Sequence, residues 1–260
     1  MRIATWNVNS IRARLDRVLA FLERSGTDVL AIQETKCRDD QFPALPFHEA
    51  GFEVAHHGLS QWNGVAVVSR LPIEDVAVGF AGMPTWGEPP AAEARALGAL
   101  VGGTWVWSLY VPNGRELDHP HYLYKLDWLA ALRTAAQDWL TADPAAQVAL
   151  TGDWNIAPRD EDVWDMAAFA GATHVSPAER EAFAQIEEIG FRDVVRPHTP
   201  GAYTYWDYTQ LRFPRNQGMR IDFALASPAL ADRVTSASID RNERKGKGAS
   251  DHVPVVVDLG

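Results

Sequence analysis

The 260-residue sequence holds a single cysteine, Cys37. No internal disulfide framework is possible, and the chain is expected to fold on its apolar core in a reducing compartment, the cytoplasm. Basic charge is also scarce. Lys and Arg number 24 against 34 Asp and Glu, a net charge of -10, which excludes a protein that coats nucleic acid with a broad basic surface. Long apolar runs are missing too. The longest uncharged stretch, Ala96 to Gly114, is interrupted by Gly102 and Gly103, and Trp105, Trp107 and Leu109 alternate with Val106 and Ser108. That pattern predicts a hairpin with a Gly-Gly turn and not a membrane-spanning helix. The opening MRIATWNVNS lacks the apolar centre of a signal peptide, and no Pro/Gly/Ser-rich linker or internal repeat divides the chain. One domain over residues 1–260, monomeric and without a membrane partner, is the expectation.

What is present is ordinary globular composition, 47% hydrophobic and 22% charged, with ample material for a core. RIATWNV reads as a strand. Ser10 then stands at a cap position before a helix with Ile11, Leu15, Val18, Leu19 and Leu22 on one face. TDVLAIQ, FEVAHHG, NGVAVVSR and IEDVAVGF read as further strands, and helical spacing of Leu123, Leu126, Leu129, Ala130 and Ala136 predicts a helix from about Tyr122 to Leu140. Strand QVALTG, helical pieces at 160–169 and 177–188, and strands YTYWD, GMRIDFALA, VTSASI and VPVVVDL complete the chain. Helices do not follow every strand, so two packed sheets with helices on the outside fit better than a regular barrel.

Polar residues collect where these strands end. Asn7 closes the first, Glu34 the second and Tyr110 the hairpin. Asp153 and then Asn155 follow QVALTG, Asp222 lies in RIDFALA, and Asp251 and His252 precede the last strand. Such groups cannot be buried unpaired, and a shared rim at the strand ends would gather them into one pocket. Glu34, Asp251 and Asn7 offer hard oxygens suited to Mg2+, whereas no thiolate or paired-His spacing for zinc exists. Asp153 and Asn155, two apart on extended chain, face one side and can hold a water and an oxyanion. Asp222 is the candidate that orients His252. Basic residues come in separate groups, Arg12, Arg14 and Arg17, then Arg212, Arg215 and Arg220, then Arg241, Arg244, Lys245 and Lys247, which would grip a polyanion locally.

In order along the chain, WNVNSIRAR, QETK, LYVPNG, GDWNIAP, GMRIDFALAS and SDHVPV resemble the exonuclease III family of DNA repair nucleases, within the endonuclease/exonuclease/phosphatase superfamily. The resemblance spans essentially the whole sequence. It implies an α/β fold of four layers, two packed mixed β-sheets with helices on the outer faces, like deoxyribonuclease I.

It also implies roles. Glu34 matches a metal-binding glutamate, with Asn7 and Asp251 in the same metal or water network, and Asp153 matches the aspartate that activates or positions the attacking water. Asn155 matches the asparagine that orients the phosphate, Tyr110 a tyrosine at the scissile phosphate, and His252 the histidine on a phosphate oxygen, paired with Asp222. Whether Asp153 or an ionised Tyr110 is the base stays open. Trp206, Met219 and Ile221 match positions that wall an apolar pocket for a flipped-out sugar lacking its base, with Asn216 in the neighbouring loop placed beside them. Met219 stands where other members carry Trp, and Asn9-Ser10 where they carry Asn-Gly or Asp-Gly; Arg115, Lys125 and the Arg212 to Arg220 loop are further candidates for contacting phosphate or groove.

The activity so implied is Mg2+-dependent (or Mn2+-dependent) cleavage of duplex DNA at abasic sites, with 3'-to-5' exonuclease or 3'-phosphodiesterase activity. Two alternatives are a phosphodiesterase of the same fold acting on a small phosphoester, and a non-catalytic RNA-binding regulator. The filled core positions speak against the second.

Overall fold

The computed structural model describes residues 1–260. Its first sheet contains β1 (Arg2–Asn7), β2 (Val29–Gln33), β3 (Glu53–His57), β4 (Val65–Ser69), β11 (Val234–Ile239) and β12 (Val255–Leu259), in the order β11-β12-β1-β2-β4-β3. The second contains β5 (Ile73–Val78), β6 (Ala96–Val101), β7 (Thr104–Tyr110), β8 (Gln147–Asp153), β9 (Arg192–Asp193) and β10 (Asp222–Ala226), in the order β5-β6-β7-β8-β10-β9. Each sheet is antiparallel apart from one central parallel pair, β1 with β2 and β7 with β8. A parallel pair needs a long crossover, here α1 (Ile11–Ser25) and α3 (Pro120–Ala142), which cover the outer faces.

The side-chain period of two builds the layers. In β8, Ala149 faces the core between the sheets, while Val148 and Leu150 turn outward to the cluster under α3 and α4 (Pro177–Glu188). In β12, Val255, Val257 and Leu259 face the inter-sheet core and Val256 faces α1. A third cluster, with Trp6, Ile11, Val18, Phe21 and Leu22, lies under α1 and α2 (Ala44–Glu49). The result is the four-layered arrangement expected. β1 lies between β2 and β12, and the Met1 amino group donates to the Leu259 carbonyl at 3.0 Å.

Several local expectations are corrected. Ser10 precedes α1 with φ 91° and its side chain makes no cap. Backbone does that work: the Ser10 and Ile11 N–H groups donate to the carbonyls of Glu34 and Thr35 at 2.7 and 3.2 Å, tying the loop after β1 to the loop after β2. YTYWD is not a strand, since Tyr205 makes only isolated bridges to Met219 and His252, and GMRID becomes regular only at Asp222. Short α2, β9 and α5 (Pro228–Ala231) carry no strong periodicity and escape sequence reading. The Gly-Gly turn is as expected: Gly102 and Gly103 take φ 54° and 73° and join β6 to β7 with Val101 opposite Thr104.

Two positions give tests of this frame. Gly152 has φ 148°, and a Cβ there would lie 1.9 Å from the Leu109 carbonyl oxygen on the neighbouring strand. Gly152→Ala is expected to cost at least ~2 kcal/mol, read as a lower urea midpoint at unchanged slope.

His121, at the start of α3, is 4% exposed, and its Nδ1 accepts the Gly114 N–H at 3.1 Å. Burial, with Arg95 and Arg115 adding to it, pushes this imidazole down to about 4. The unfolded chain, with His near 6.5, then binds the proton first. His121 therefore leaves stability intact above about pH 6.5 and erodes it as pH falls through 4. The urea midpoint should drop over that window, and His121→Gln, which keeps an acceptor for Gly114, should lessen the drop.

Candidate active site

The two parallel pairs run the same way, and their C-terminal ends meet at one rim. Register sets the rows. Tyr110 lies opposite Asp153, and Asp153 opposite Asp222, so β7, β8 and β10 present three functional side chains abreast. In the facing sheet Asn7 pairs with Gln33, and Glu34 follows immediately with φ 54°. The segment before β12 brings Asp251 and His252 between them. Ser250 Oγ donates to the Asn7 carbonyl at 2.7 Å, and Trp6 Nε1 donates to the His252 carbonyl at 3.1 Å. Six remote pieces of sequence thus converge.

Asn7 Nδ2 donates to Glu34 Oε1 and to Asp153 Oδ2, both at 2.9 Å. The same Asp153 oxygen lies 3.7 Å from His252 Nε2, and His252 Nδ1 contacts both Asp222 oxygens at 2.9 and 3.1 Å. Asp153 Oδ1 accepts the Asn155 N–H at 2.9 Å. Asn155 is itself left-handed, φ 50°, and its Nδ2 donates to the Val111 carbonyl at 3.0 Å. Non-glycine residues at positive φ gather here, with Asn9, Lys36 and His174 joining Glu34 and Asn155. Strain concentrated in this way is a mark of functional sites.

Charge follows from burial. Removal from water raises Asp153 to about 7, Asp222 and Glu34 push the same way, and the charge on His252 opposes them. Burial would lower His252, but Asp222 and Asp153 outweigh it and raise the ring to about 10, so it is an imidazolium at neutral pH. Glu34 is also penalised by burial, yet the Lys36 ammonium at 2.7 Å and the Asn7 amide bring its carboxyl below its ordinary value. Tyr110 is raised well above the ordinary phenol, first by burial and then by Glu34, with the Arg95 guanidinium 4.9 Å from its ring centre in opposition. Its hydroxyl is neutral.

Glu34, Asp153 and His252 offer ligand atoms within 4.8 Å of one another, a group of the kind that could hold a metal ion. A charged imidazole does not ligate, so the oxygens of Glu34 and Asp153 are the fitting donors. Lys36 Nζ already marks a place for positive charge, between Glu34 Oε2 and Asn9 Oδ1 at 2.6 Å. Asn7 places its Nδ2 between two carboxylates, and its Oδ1 accepts the Asn9 N–H at 3.0 Å. Asp251 stands at the edge of the group, its Oδ1 accepting from Asn9 Nδ2 at 3.1 Å.

The residues expected to wall an apolar pocket are placed differently. Trp206 is 0% exposed, with Phe213 edge-on to its ring at 5.2 Å, and Ile221 is 2% exposed in a cluster with Ala157, Val163 and Val175. Met219 alone of the three lines a cavity, of about 270 Å³, and its neighbours there include Tyr205 and Trp164. Tyr205 packs on His252 with ring centres 4.8 Å apart. It is the aromatic that faces the site, one residue before the one expected. Asn216 is exposed on the loop before Met219, its Oδ1 within 3.4 Å of Arg241 Nη2, and makes no contact with the carboxylates.

Sequence reasoning also missed Asn113, whose Nδ2 donates to Asn155 Oδ1 at 3.2 Å, and His174, whose Nε2 lies 3.2 Å from the same oxygen. Asn113 sits in the quoted LYVPNG and could have been found there. His174 gives no local signal. The basic groups assemble in part: Arg14 reaches Tyr208 Oη, Arg244 lies over the Tyr208 ring and Arg241 over the Phe213 ring, beside the site. Arg220 is an interior residue, 2% exposed, against Thr199 and Phe223.

Comparison with known proteins finds relatives of the same fold. An exodeoxyribonuclease of Bacillus subtilis (strain 168) is 31% identical over 98% of this chain and 98% of its own. Among solved structures, a 3' phosphatase from Neisseria bound to a product DNA hairpin is 35% identical, with a TM-score of 0.93 over 100% of this chain and 99% of that one. An AP endonuclease from Archaeoglobus fulgidus is also 35% identical, with a TM-score of 0.91 over the same shares. The model of the endonuclease/exonuclease/phosphatase family matches residues 4–252, which takes in every side chain of the rim from Asn7 to His252, and the chain belongs to that family.

Proposed function

We propose that this protein is a Mg2+-dependent DNA repair nuclease that hydrolyses phosphoesters in duplex DNA at abasic sites and at 3' ends. The observation that carries the reading is the buried row Asp222–His252–Asp153 set against Glu34, with a raised carboxylate beside an imidazolium. That pairing of a base with a cationic donor is what in-line attack of water on a phosphate diester requires. Relatives named exodeoxyribonuclease, 3' phosphatase and AP endonuclease support the substrate class.

Each side chain then has a task. Asp153 takes the proton of the attacking water, its pKa near 7 making it a competent base at neutral pH, whereas Tyr110 stays protonated and donates to the phosphate. His252, held by Asp222, donates from Nε2 to a phosphoryl oxygen as negative charge grows there. Asn155 and Asn113 fix the other side of the phosphate. A divalent cation held chiefly by Glu34 would supply positive charge to the phosphoryl group and leave Asp153 free to take the proton. Arg14, Arg241 and Arg244 give an acidic protein a local hold on the DNA backbone.

A second reading narrows the substrate to 3'-terminal phosphoesters. The His174 ring, 3.2 Å from Asn155 Oδ1, favours it, since it takes up space beside the phosphate that Asn155 would hold. Two duplexes separate the readings, one with an internal abasic analogue and one with a 3'-phosphate at a nick. Incision of the first supports the broader activity, release of phosphate from the second alone supports the narrower, and cleavage of neither rejects both.

Asp153→Asn and His252→Ala are each expected to lower kcat by about 10²–10⁴-fold with KM for DNA changed little, measured at saturating cation. EDTA should abolish turnover and added Mg2+ restore it, with Glu34→Gln raising the Mg2+ concentration needed for half-maximal rate. Full activity in EDTA would reject the metal assignment.

A further inference from the structure

Lys125 and Glu179 are both 0% exposed, an ion pair without access to water. Lys125 comes from α3 and Glu179 from the first turn of α4. Neither helix end takes part in the chemistry proposed above, and taking two charges out of water costs several kcal/mol per ion, by ~order of magnitude, before their attraction offsets it. Such a pair is a poor stabilising device, because apolar replacements of similar volume are often neutral or better. Its contacts say what else it does.

The Lys125 ammonium has three donors, and three acceptors surround it. It donates to the Glu179 carboxylate, to the Asn155 carbonyl at 2.6 Å and to the Asn113 carbonyl at 3.3 Å. Glu179 Oε1 also accepts the His174 N–H at 2.9 Å, and Oε2 accepts from the Ser176 backbone and hydroxyl at 3.2 and 2.6 Å. Two side chains therefore grip three loops, the one after β7, the one after β8 and the one that leads into α4. Asn113, Asn155 and His174, one from each loop, meet at a single atom, Asn155 Oδ1. Asn155 and His174 hold positive φ, at 50° and 76°, so each needs outside contacts to stay where it is.

We propose that the buried Lys125–Glu179 pair is a positioning device for phosphoester hydrolysis, clamping the backbone of the three loops so that Asn155 and Asn113 stay registered against Asp153. The inference rests on the nuclease reading above. Neither residue touches substrate. The pair acts through the two carbonyls and the His174 N–H, and its loss lets the asparagines drift by fractions of an ångström while the fold persists.

The double variant Lys125→Met/Glu179→Gln removes both charges together. The single glutamine oxygen, turned to the Oε2 side, still accepts from the Ser176 N–H and hydroxyl, so the helix start is kept, while the contact to the His174 N–H is given up with the lysine. Expected are a melting temperature close to that of the wild type, kcat on the cleaved duplex lowered at least ~10-fold and KM within about 3-fold, as misplacement of a reacting group produces. In ¹⁵N-labelled protein without DNA, the side-chain amide resonances of Asn113 and Asn155 should shift or broaden, which a role confined to stability would not cause.

A folded double variant with wild-type kcat, or with KM raised and kcat unchanged, overturns the positioning role and leaves the nuclease reading standing. A wild type that cleaves no DNA substrate overturns that reading and this proposal with it. Should the double variant not fold, Lys125→Met alone serves, because Glu179 keeps three donors from His174 and Ser176; a kcat loss of at least ~3-fold at unchanged KM is expected, and an unchanged kcat overturns the proposal.

Discussion

Three carboxylates, Glu34, Asp153 and Asp222, are held close together out of water, and the need to offset them shapes the rest of the site. Like charges in a poorly solvated space repel, so a partner must be supplied for each. His252 sits between Asp222 and Asp153, Lys36 lies against Glu34, and Asn7 places its amide between Glu34 and Asp153. These offsets are incomplete by design of the fold: Asp153 is still pushed up to about 7. Residual negative charge is what draws a cation, and a carboxylate that titrates near neutrality is what takes a proton.

The sheets deliver these groups without any loop having to wander. Parallel pairs are rare in this fold, one per sheet, yet they supply Asn7, Tyr110 and Asp153 directly, and Glu34 one residue beyond. Strand ends are rigid where loops are not, and a site built on them keeps sub-ångström tolerances. The looser work of gripping a polyanion, as proposed above, would fall to the surface around Tyr208, where Arg14 donates to the Tyr208 hydroxyl, Arg244 lies over its ring and Arg241 over that of Phe213.

How much of this was legible depended on whether a residue announces itself locally. β-branched runs and the Gly-Gly turn gave the strands, and polar residues at the ends of apolar runs gave the rim, because burial leaves a strong local mark. Trp206 misled because the family resemblance set the pocket wall one residue too far along, whereas the local chain direction turns Tyr205 onto His252 and Trp206 inward. Ser10 misled because a capping residue type stood in the right place while the backbone, at φ 91°, had already found partners in the Glu34 loop. Lys125 reads on the sequence as a contact for phosphate and Glu179 as a polar helix residue; at 0% exposed Lys125 reaches no DNA, and only tertiary packing 54 positions apart makes the two a pair.

The pairing of β1 with β12 has a further consequence. Asn7 is near one end of the sequence and His252 near the other, and the Ser250 hydroxyl that joins them bridges 243 positions. Contacts of that span are the slowest to form. A chain cut before Asp251 leaves β1 with a bare edge and has no imidazolium beside Asp153. The two ends of the chain must therefore pair before the row Asp222–His252–Asp153 exists, so the site is a property of the closed sheet and of no contiguous part of it.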